Sequence, residues 1–374
     1  MKLALVYPGC FREGGVERIV WESARHLGRR HSVTVLADFW QDCGEPSVAY
    51  RKVSPRRRPR FVIPLSFARR AARAAANDFD RVVSFGVNCP GGDVVWVNSV
   101  HRAWLERRLD YSVGSARAKT LLSSVHPRNR ILLGLEARMF GGGQYRKVIT
   151  VSDRVAEDLG RLYGVPREAT VTIPNGFSPE EFSPARREEL REPVRAELGL
   201  EPGDVALLMV ANELPRKGFG VLLDAVDRLR DPRVHVLLAG RVAPTAYAEQ
   251  IERLRLASRV HYLGSMGEVA RCHAAADVFV LPTRYEAFCL AIVEALGSGL
   301  PVITTDVPGA GDTITPGVNG LLQRDPGDAD ELAGLLCIAL DQEERARWSA
   351  AAPETVRELE WPKLLTRVEA VLQS

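Results

Sequence analysis

Along almost its whole length this chain alternates short, continuously apolar runs with segments of helical periodicity, in two successive sets. A strand buried on both faces reads as an unbroken apolar run. Such strands, separated by helices, specify a parallel sheet with helices on either side. In the first set the strand-like runs are residues 3–7, 33–37, 82–85 and 94–97, with 147–152 reading as the last strand; 17–28, 65–76 and 154–163 carry the helical pattern. In the second set the runs are 206–210, 234–239, 260–263, 278–281, 302–304 and 320–322. Between the sets lies Ile173-Pro174-Asn175-Gly176-Phe177-Ser178-Pro179, continuing through Phe182 to Pro184, a turn-rich connector and the natural boundary. At 374 residues the chain is also too long for one typical core. The expectation is an α/β protein of two doubly wound parallel-sheet domains, 1–175 and 176–354, with terminal helices over residues 355–374 interrupted at Trp361-Pro362.

Composition narrows the setting. The six cysteines are scattered with no C-x-x-C, so neither a disulfide framework nor a zinc site is indicated, and they fit a reducing cytosol. The opening apolar run stops at Pro8-Gly9, too short for a signal-peptide core, and no run approaches the ~20 apolar residues of a membrane helix. The net charge of +3 hides an asymmetry: residues 1–170 hold 29 Lys and Arg against 16 Asp and Glu, leaving the remainder at −10. The first half therefore faces something anionic. Its densest part runs through Arg51-Lys52, Arg56-Arg57-Arg58, Arg60, Arg69-Arg70 and Arg73, with Phe61, Leu65, Ala68 and Ala72 as an apolar stripe at helical spacing. Two readings stand: a solvated arginine face on a surface helix, or docking on an anionic bilayer or a phosphorylated acceptor.

Chemistry concentrates in the second set. Glu286 and Glu294 bracket Ala287-Phe288-Cys289-Leu290-Ala291-Ile292-Val293, between the run 278–282 and the run 300–303. Ligands of a doubly wound sheet sit outside the carboxyl ends of strands, where the next helix begins. Glu286 falls at such a strand end. Glu294 lies eight positions on, about two turns down the helix and only ~80° around it. The helix tip between them presents unpaired N–H groups and a positive dipole end, which suit a diphosphate. Residues 210–218, Val-Ala-Asn-Glu-Leu-Pro-Arg-Lys-Gly, follow the first strand of this domain and offer Arg216 as a planar fork and Lys217 as a point charge.

The stretch from Ala276 to Ile303 that carries Glu286 and Glu294, thirty or so residues, resembles the Glu-x7-Glu element of the retaining family-4 glycosyltransferases with the GT-B fold. The resemblance implies two Rossmann-like domains facing across a cleft, acceptor domain first and donor domain second, with the closing segment (about 355–374) crossing back to the first domain. It implies a nucleotide-sugar donor and a saccharide or lipid-linked acceptor, with no nucleic acid as partner. Arg216 and Lys217 would then clamp the diphosphate, amides of Phe288, Cys289 and Leu290 would contact phosphate, Glu294 would bind ribose hydroxyls, and Glu286 would hold the sugar. Gly240 ends the second strand of that domain, and the nucleotide base would lie against backbone near Met266. In the first domain Gly14-Gly15-Val16-Glu17-Arg18 matches the family's Gly-Gly-x-Glu-Arg, with Gly15 next to the donor, and His101 stands at a strand end against the transferred sugar.

The chain departs from the family at Ala211-Asn212, where Gly-Arg is common, in a manner similar to the lipopolysaccharide-core glucosyltransferase subgroup; this puts any role for Asn212 in doubt. Pro308-Gly309-Ala310-Gly311-Asp312 stands in for the usual Gly-Gly-x-x-Glu, as a modest variation or a plain loop. Asp78-Phe79-Asp80 and Asp328-Ala329-Asp330 match a metal-binding Asp-x-Asp only formally, one preceding a strand and the other starting a helix. No metal and no cofactor are expected. The family is thought to react on one face of the sugar, the departing phosphate taking the acceptor's proton. UDP-hexose is preferred as donor over GDP-mannose; a sugar-nucleotide epimerase and a catalytically silent binding module are the rivals. The acceptor would be read by residues 51–60 and 104–130, and the enzyme would be cytoplasmic, on the inner face of the plasma membrane if the basic face docks there.

Overall fold

A computed structural model describes residues 1–110, 126–264, 269–307 and 309–374, the side chains of 109 and 110 excepted. The chain forms two compact units, Met1–Asn175 with Trp361–Ser374, and Gly176–Glu360. The return to the first unit begins at Trp361 rather than near residue 355, because the helix Gln342–Thr355 packs in the second unit against the helix Leu290–Gly297.

In the first unit the strands are β1 (Lys2–Val6), β2 (Gly9–Cys10), β3 (Ser32–Ala37), β4 (Phe39–Trp40), β5 (Val48–Lys52), β6 (Arg81–Phe85), β7 (Val94–Val97), β8 (Lys147–Thr150) and β9 (Thr170–Thr172). Seven of them make a parallel sheet in the order β5-β3-β1-β6-β7-β8-β9, while β2 and β4 pair beside it. The central strands are apolar throughout because both faces are covered: Val94 to Val97 are all buried. The two edge strands escape the sequence reading. Val-Ala-Tyr-Arg-Lys and Thr-Val-Thr are half-solvated, so they lack the apolar run that marks the centre, and β9 rather than the 147–152 run is last. The helix Ile63–Ala75 turns Phe67, Ala68, Ala71 and Ala75 into the core, so that of the apolar stripe only Ala68 is fully buried while Phe61, Leu65 and Ala72 are half-buried, and it leaves Arg69, Arg70 and Arg73 exposed. The closing helix Trp361–Gln373 packs on the helix Val16–Gly28, where its buried Glu369 takes Arg30 at 3.1 Å and His31 at 2.9 Å.

The second unit carries β10 (Val205–Val210), β11 (Val234–Ala239), β12 (Val260–Gly264), β13 (Val278–Leu281), β14 (Val302–Thr305) and β15 (Gly320–Gln323), all parallel, in the order β12-β11-β10-β13-β14-β15. Both sheets therefore start at an inner strand, run outward to one side and then switch to the other. The switch lies between β1 and β6 in one unit and between β10 and β13 in the other. Loops leaving the carboxyl ends of such a strand pair diverge, and ligands bind there.

Candidate functional site

In the second unit the two loops at the switch are knitted together. After β10, the one-turn helix Leu214–Lys217 ends at Gly218, whose φ of +79° and approach to Pro282 admit no side chain: an added Cβ would stand 2.1 Å from the Pro282 carbonyl oxygen. The Arg216 carbonyl accepts the Arg284 N–H at 3.0 Å.

That join delivers the charged side chains to one point. Arg216 donates through Nη1 to Glu286 Oε1 at 2.7 Å and to the Tyr285 carbonyl at 2.5 Å, and through Nε to Glu213 Oε2 at 2.9 Å. Lys217 Nζ stands 2.5 Å from the same Glu286 Oε1 and 3.8 Å from Cys289 Sγ. The Thr283 hydroxyl adds a donor to Glu286 at 3.2 Å. Burial alone would push the Glu286 carboxyl up, but the Lys217 and Arg216 charges outweigh it and hold it below the usual carboxylate range. Burial acts to lower Arg216, and Glu286 and Glu213 overcome it and push the guanidinium up. The Cys289 thiol is raised, chiefly by burial against the opposing pull of Lys217, so it stays neutral. Two fixed cations thus rest on a buried carboxylate; with Glu213 the group carries no net charge.

From Glu286 the chain turns into the helix Leu290–Gly297, whose N-cap residue Cys289 provides no side-chain acceptor. Among the described residues no N-cap side chain bonds the first amides of that helix, at Phe288, Cys289 and Leu290, and Lys217 lies beside Cys289. Gly309 buttresses the turn from behind: at φ +88°, a Cβ there would lie 2.6 Å from the Glu286 and 2.7 Å from the Ala287 carbonyl oxygen, and its N–H is held by Asp312 at 3.0 Å. The segment beginning at Gly309 is thus structural support for the site.

Glu294 is buried on the same helix, with Ser298 bonded to its carbonyl. Gly240 closes β11 against the loop after β10, a Cβ there meeting the Ala211 oxygen at 2.0 Å. Asn212 ties that junction together, its Oδ1 accepting the Arg241 N–H at 2.8 Å. Met266 lies outside the described residues.

In the first unit Gly15 is the N-cap of Val16–Gly28, with no atom within 4 Å of an added Cβ, whereas Gly14 needs its φ of +114°. His101 opens the helix His101–Asp110 rather than closing β7. Glu136 caps that helix from the helix Pro127–Gly141, accepting the N–H of His101 at 2.5 Å and of Arg102 at 3.1 Å, and the Tyr163 hydroxyl at 2.7 Å. The His101 ring meets Asn129 Oδ1 at 3.1 Å and stacks on Trp104 at 5.5 Å; burial lowers its pKa, so it is neutral at pH 7. Glu136 and Asn129 are missed by sequence reasoning, since nothing local marks a partner some thirty residues away. Of the residues 104–130, positions 111–125 lie outside the described residues.

The two Asp-x-Asp segments are engaged elsewhere. Asp78 pairs with Arg51 at 3.0 Å and Asp80 accepts the Lys2 N–H at 2.7 Å. Asp328 caps the helix Ala329–Leu340 through the N–H groups of Asp330 and Glu331, and Asp330 pairs with Arg228. No helix among the described residues is long and apolar enough to cross a membrane.

The chain is also similar to known proteins. The family described as Glycosyl transferases group 1 matches residues 191–355, and Glycosyltransferase Family 4 matches residues 13–181. The chain is 27% identical over 277 residues to the lipopolysaccharide glucosyltransferase WaaG of Escherichia coli, covering 73% of this chain and 71% of that protein. It is 29% identical over 215 residues to the phosphatidyl-myo-inositol mannosyltransferase of Mycobacterium tuberculosis, covering 54% of each. Among solved structures, WaaG superposes with a TM-score of 0.85 at 22% identity, covering all of both chains. HepE of Anabaena, solved with UDP and glucose, superposes at 0.75 and 20% identity, again over all of both chains.

Proposed function

The chain belongs to the family-4 glycosyltransferases with the GT-B fold, and we propose that it moves a hexose from a nucleoside diphosphate sugar, UDP-hexose in preference, to a hydroxyl of a saccharide, lipid-linked or polysaccharide acceptor. One observation carries the reading: Arg216 and Lys217 converge beside an uncapped helix tip at the switch point of the second sheet. Charge develops on the diphosphate as the glycosidic bond breaks, and preorganised cations and amides at that spot lower the barrier. Glu286, buried and ionised, is suited to hold sugar hydroxyls; Glu294 would take the ribose, and Gly240 and the backbone near Met266 would border the nucleoside. In the first unit Gly15 leaves room for donor backbone contacts, and a neutral His101 would meet the sugar.

The transfer retains anomeric configuration in this proposal, the leaving phosphate accepting the proton of the attacking hydroxyl on the same face. In this proposal it runs without a metal, and chelation with EDTA should leave turnover unchanged. A UDP donor is supported by the neighbour solved with UDP and glucose, and a saccharide acceptor by the relative that is a lipopolysaccharide glucosyltransferase. The mannosyltransferase relative keeps GDP-mannose as the second reading. The exposed arginines of the helix Ile63–Ala75 would let the enzyme work peripherally on an anionic membrane from the cytoplasmic side. Calorimetric titration with UDP, GDP and ADP, then mass spectrometry of UDP-glucose and GDP-mannose with saccharide acceptors, tests the reading. Binding of none of the three nucleotides, or binding with neither transfer nor donor hydrolysis, would contradict it.

A further inference from the structure

The first unit carries a second constructed surface at the carboxyl end of β3, of which only Arg57, within the segment 51–60, figures in the sequence expectations. Phe39 and Trp40 form β4 and are 51% and 38% exposed, although both are large and apolar. They are not loose. The N–H groups of Asp38 and Phe39 bond to the Pro8 carbonyl at 3.0 and 3.2 Å, and that of Gln41 to the Cys10 carbonyl at 2.7 Å, so the segment is strapped to the loop leaving β1 at the switch point. Trp40 lies flat on Tyr50, ring centroids 5.6 Å apart and planes 8° from parallel. Tyr50 is fixed in turn, accepting the Cys43 N–H at 2.9 Å.

Beside the rings sits a polar anchor. Asp38 is 4% exposed; its Oδ2 takes the Arg57 guanidinium at 2.7 Å, while its Oδ1 has no hydrogen-bond partner among the described residues. A buried carboxylate oxygen without a donor is costly, and a ligand hydroxyl would satisfy it. Arg57 is also stacked over Phe39, 5.1 Å from the ring centroid, which leaves its side chain 57% exposed in a fixed orientation. Lys52, Arg56, Arg58 and Arg60 are exposed on the adjoining chain.

Flat rings suit the C–H faces of a pyranose, Asp38 suits a hydroxyl, and a planar guanidinium amid further cations suits a phosphate or carboxylate. We propose that Phe39, Trp40, Asp38 and Arg57 form the acceptor subsite, and that it takes an anionic, phosphate-bearing saccharide. This rests on the transferase reading above. A lipid surface fits less well, since an anchoring hydrocarbon would leave the Asp38 oxygen unmatched.

The test uses the full chain, with mannose 6-phosphate, mannose, inorganic phosphate and phosphatidylglycerol vesicles as probes, and UDP as the control. Saturation-transfer NMR should show mannose 6-phosphate ring protons in contact with the protein, and inorganic phosphate alone should displace it poorly. Trp40→Ala should weaken that binding about tenfold through loss of the stacking face. Arg57→Gln should weaken mannose 6-phosphate by about tenfold and mannose little, the loss of one charge-assisted contact. UDP affinity should be unchanged in both variants, and vesicle binding should not depend on Trp40. The proposal is overturned if the sugar phosphate fails to bind while UDP binds, if both variants bind it like wild type, or if Trp40→Ala abolishes vesicle binding and spares the sugar. Failure of UDP itself to bind would instead remove the donor reading, and this inference with it.

Discussion

Lys217 makes two contacts that suggest different jobs: it pairs with buried Glu286 at 2.5 Å, and it adjoins the uncapped helix tip. A clamp holds phosphate; a structural cation only holds Glu286. Lys217→Met keeps the apolar stem and deletes the charge. Folding should survive, because Glu286 retains Arg216 at 2.7 Å and the Thr283 hydroxyl at 3.2 Å. The stability loss is therefore about 1.5–3 kcal/mol, the size of a lost charged hydrogen bond, and not the ~3–5 kcal/mol of stripping a buried ion pair. For the clamp, a charge-assisted contact of about 1.5–3 kcal/mol predicts a ~10–100-fold rise in the Kd for UDP. Removing a preorganised donor to the leaving group predicts a fall in kcat of about 10²–10³. Calorimetry with UDP on Lys217→Met, Glu286→Gln and the double variant separates the two jobs. If Lys217 grips phosphate, its substitution weakens UDP by a similar factor in both backgrounds. If the factor vanishes once residue 286 is Gln, Lys217 acts only through Glu286 and the clamp is refuted.

Other consequences are as direct. Gly309→Ala should destabilise the protein by more than about 1 kcal/mol and weaken UDP binding, because the new methyl meets two carbonyl oxygens at a φ of +88°; wild-type melting and affinity would show that the turn has another support. Gly15→Ala, at a φ of −92° with open space around the new carbon, should leave the melting temperature alone and raise the donor KM, and an unchanged KM would remove Gly15 from the donor site. Glu136→Ala strips acceptors from the His101 and Arg102 amides and from Tyr163, so thermal denaturation should show a loss of about 1–3 kcal/mol, with Glu136→Gln intermediate. His101, His235 and His261 all have lowered pKa values, first through burial; His235 also faces Asp204 and Arg259, and His261 faces His235. The unfolded chain takes up protons near pH 6.5 that the folded chain resists, so stability is full above that pH and declines as pH falls below it. Melting temperatures from pH 7.5 to 5.5 should fall less in His261→Gln than in wild type.

The sequence carried a large part of this because buried parallel strands are apolar on both faces: the inner strands β10, β11, β13 and β14 of the second sheet announce themselves as runs, and so do β1, β3, β6, β7 and β8. What stayed hidden is two-sided. Edge strands β5 and β9 are half-solvated, so period and hydropathy fade there. Residues joined only by tertiary packing leave no local trace either. The Glu136 cap on the His101 helix and the Asp38–Arg57–Phe39 arrangement each need the fold before they exist. The convergence of Arg216 and Lys217 on Glu286 lies between these cases. The motif put all three at strand ends of one sheet, but that a single carboxylate oxygen receives both cations is visible only in space.

Amide hydrogen exchange with and without saturating UDP probes the diphosphate cradle at the atoms that would hold it. Exchange should slow at Phe288, Cys289 and Leu290 and at the Arg216–Lys217 turn, with the same protection lost in Lys217→Met at equal nucleotide. Protection confined to other segments, or none at the helix tip while UDP is demonstrably bound, would mean that the diphosphate rests elsewhere.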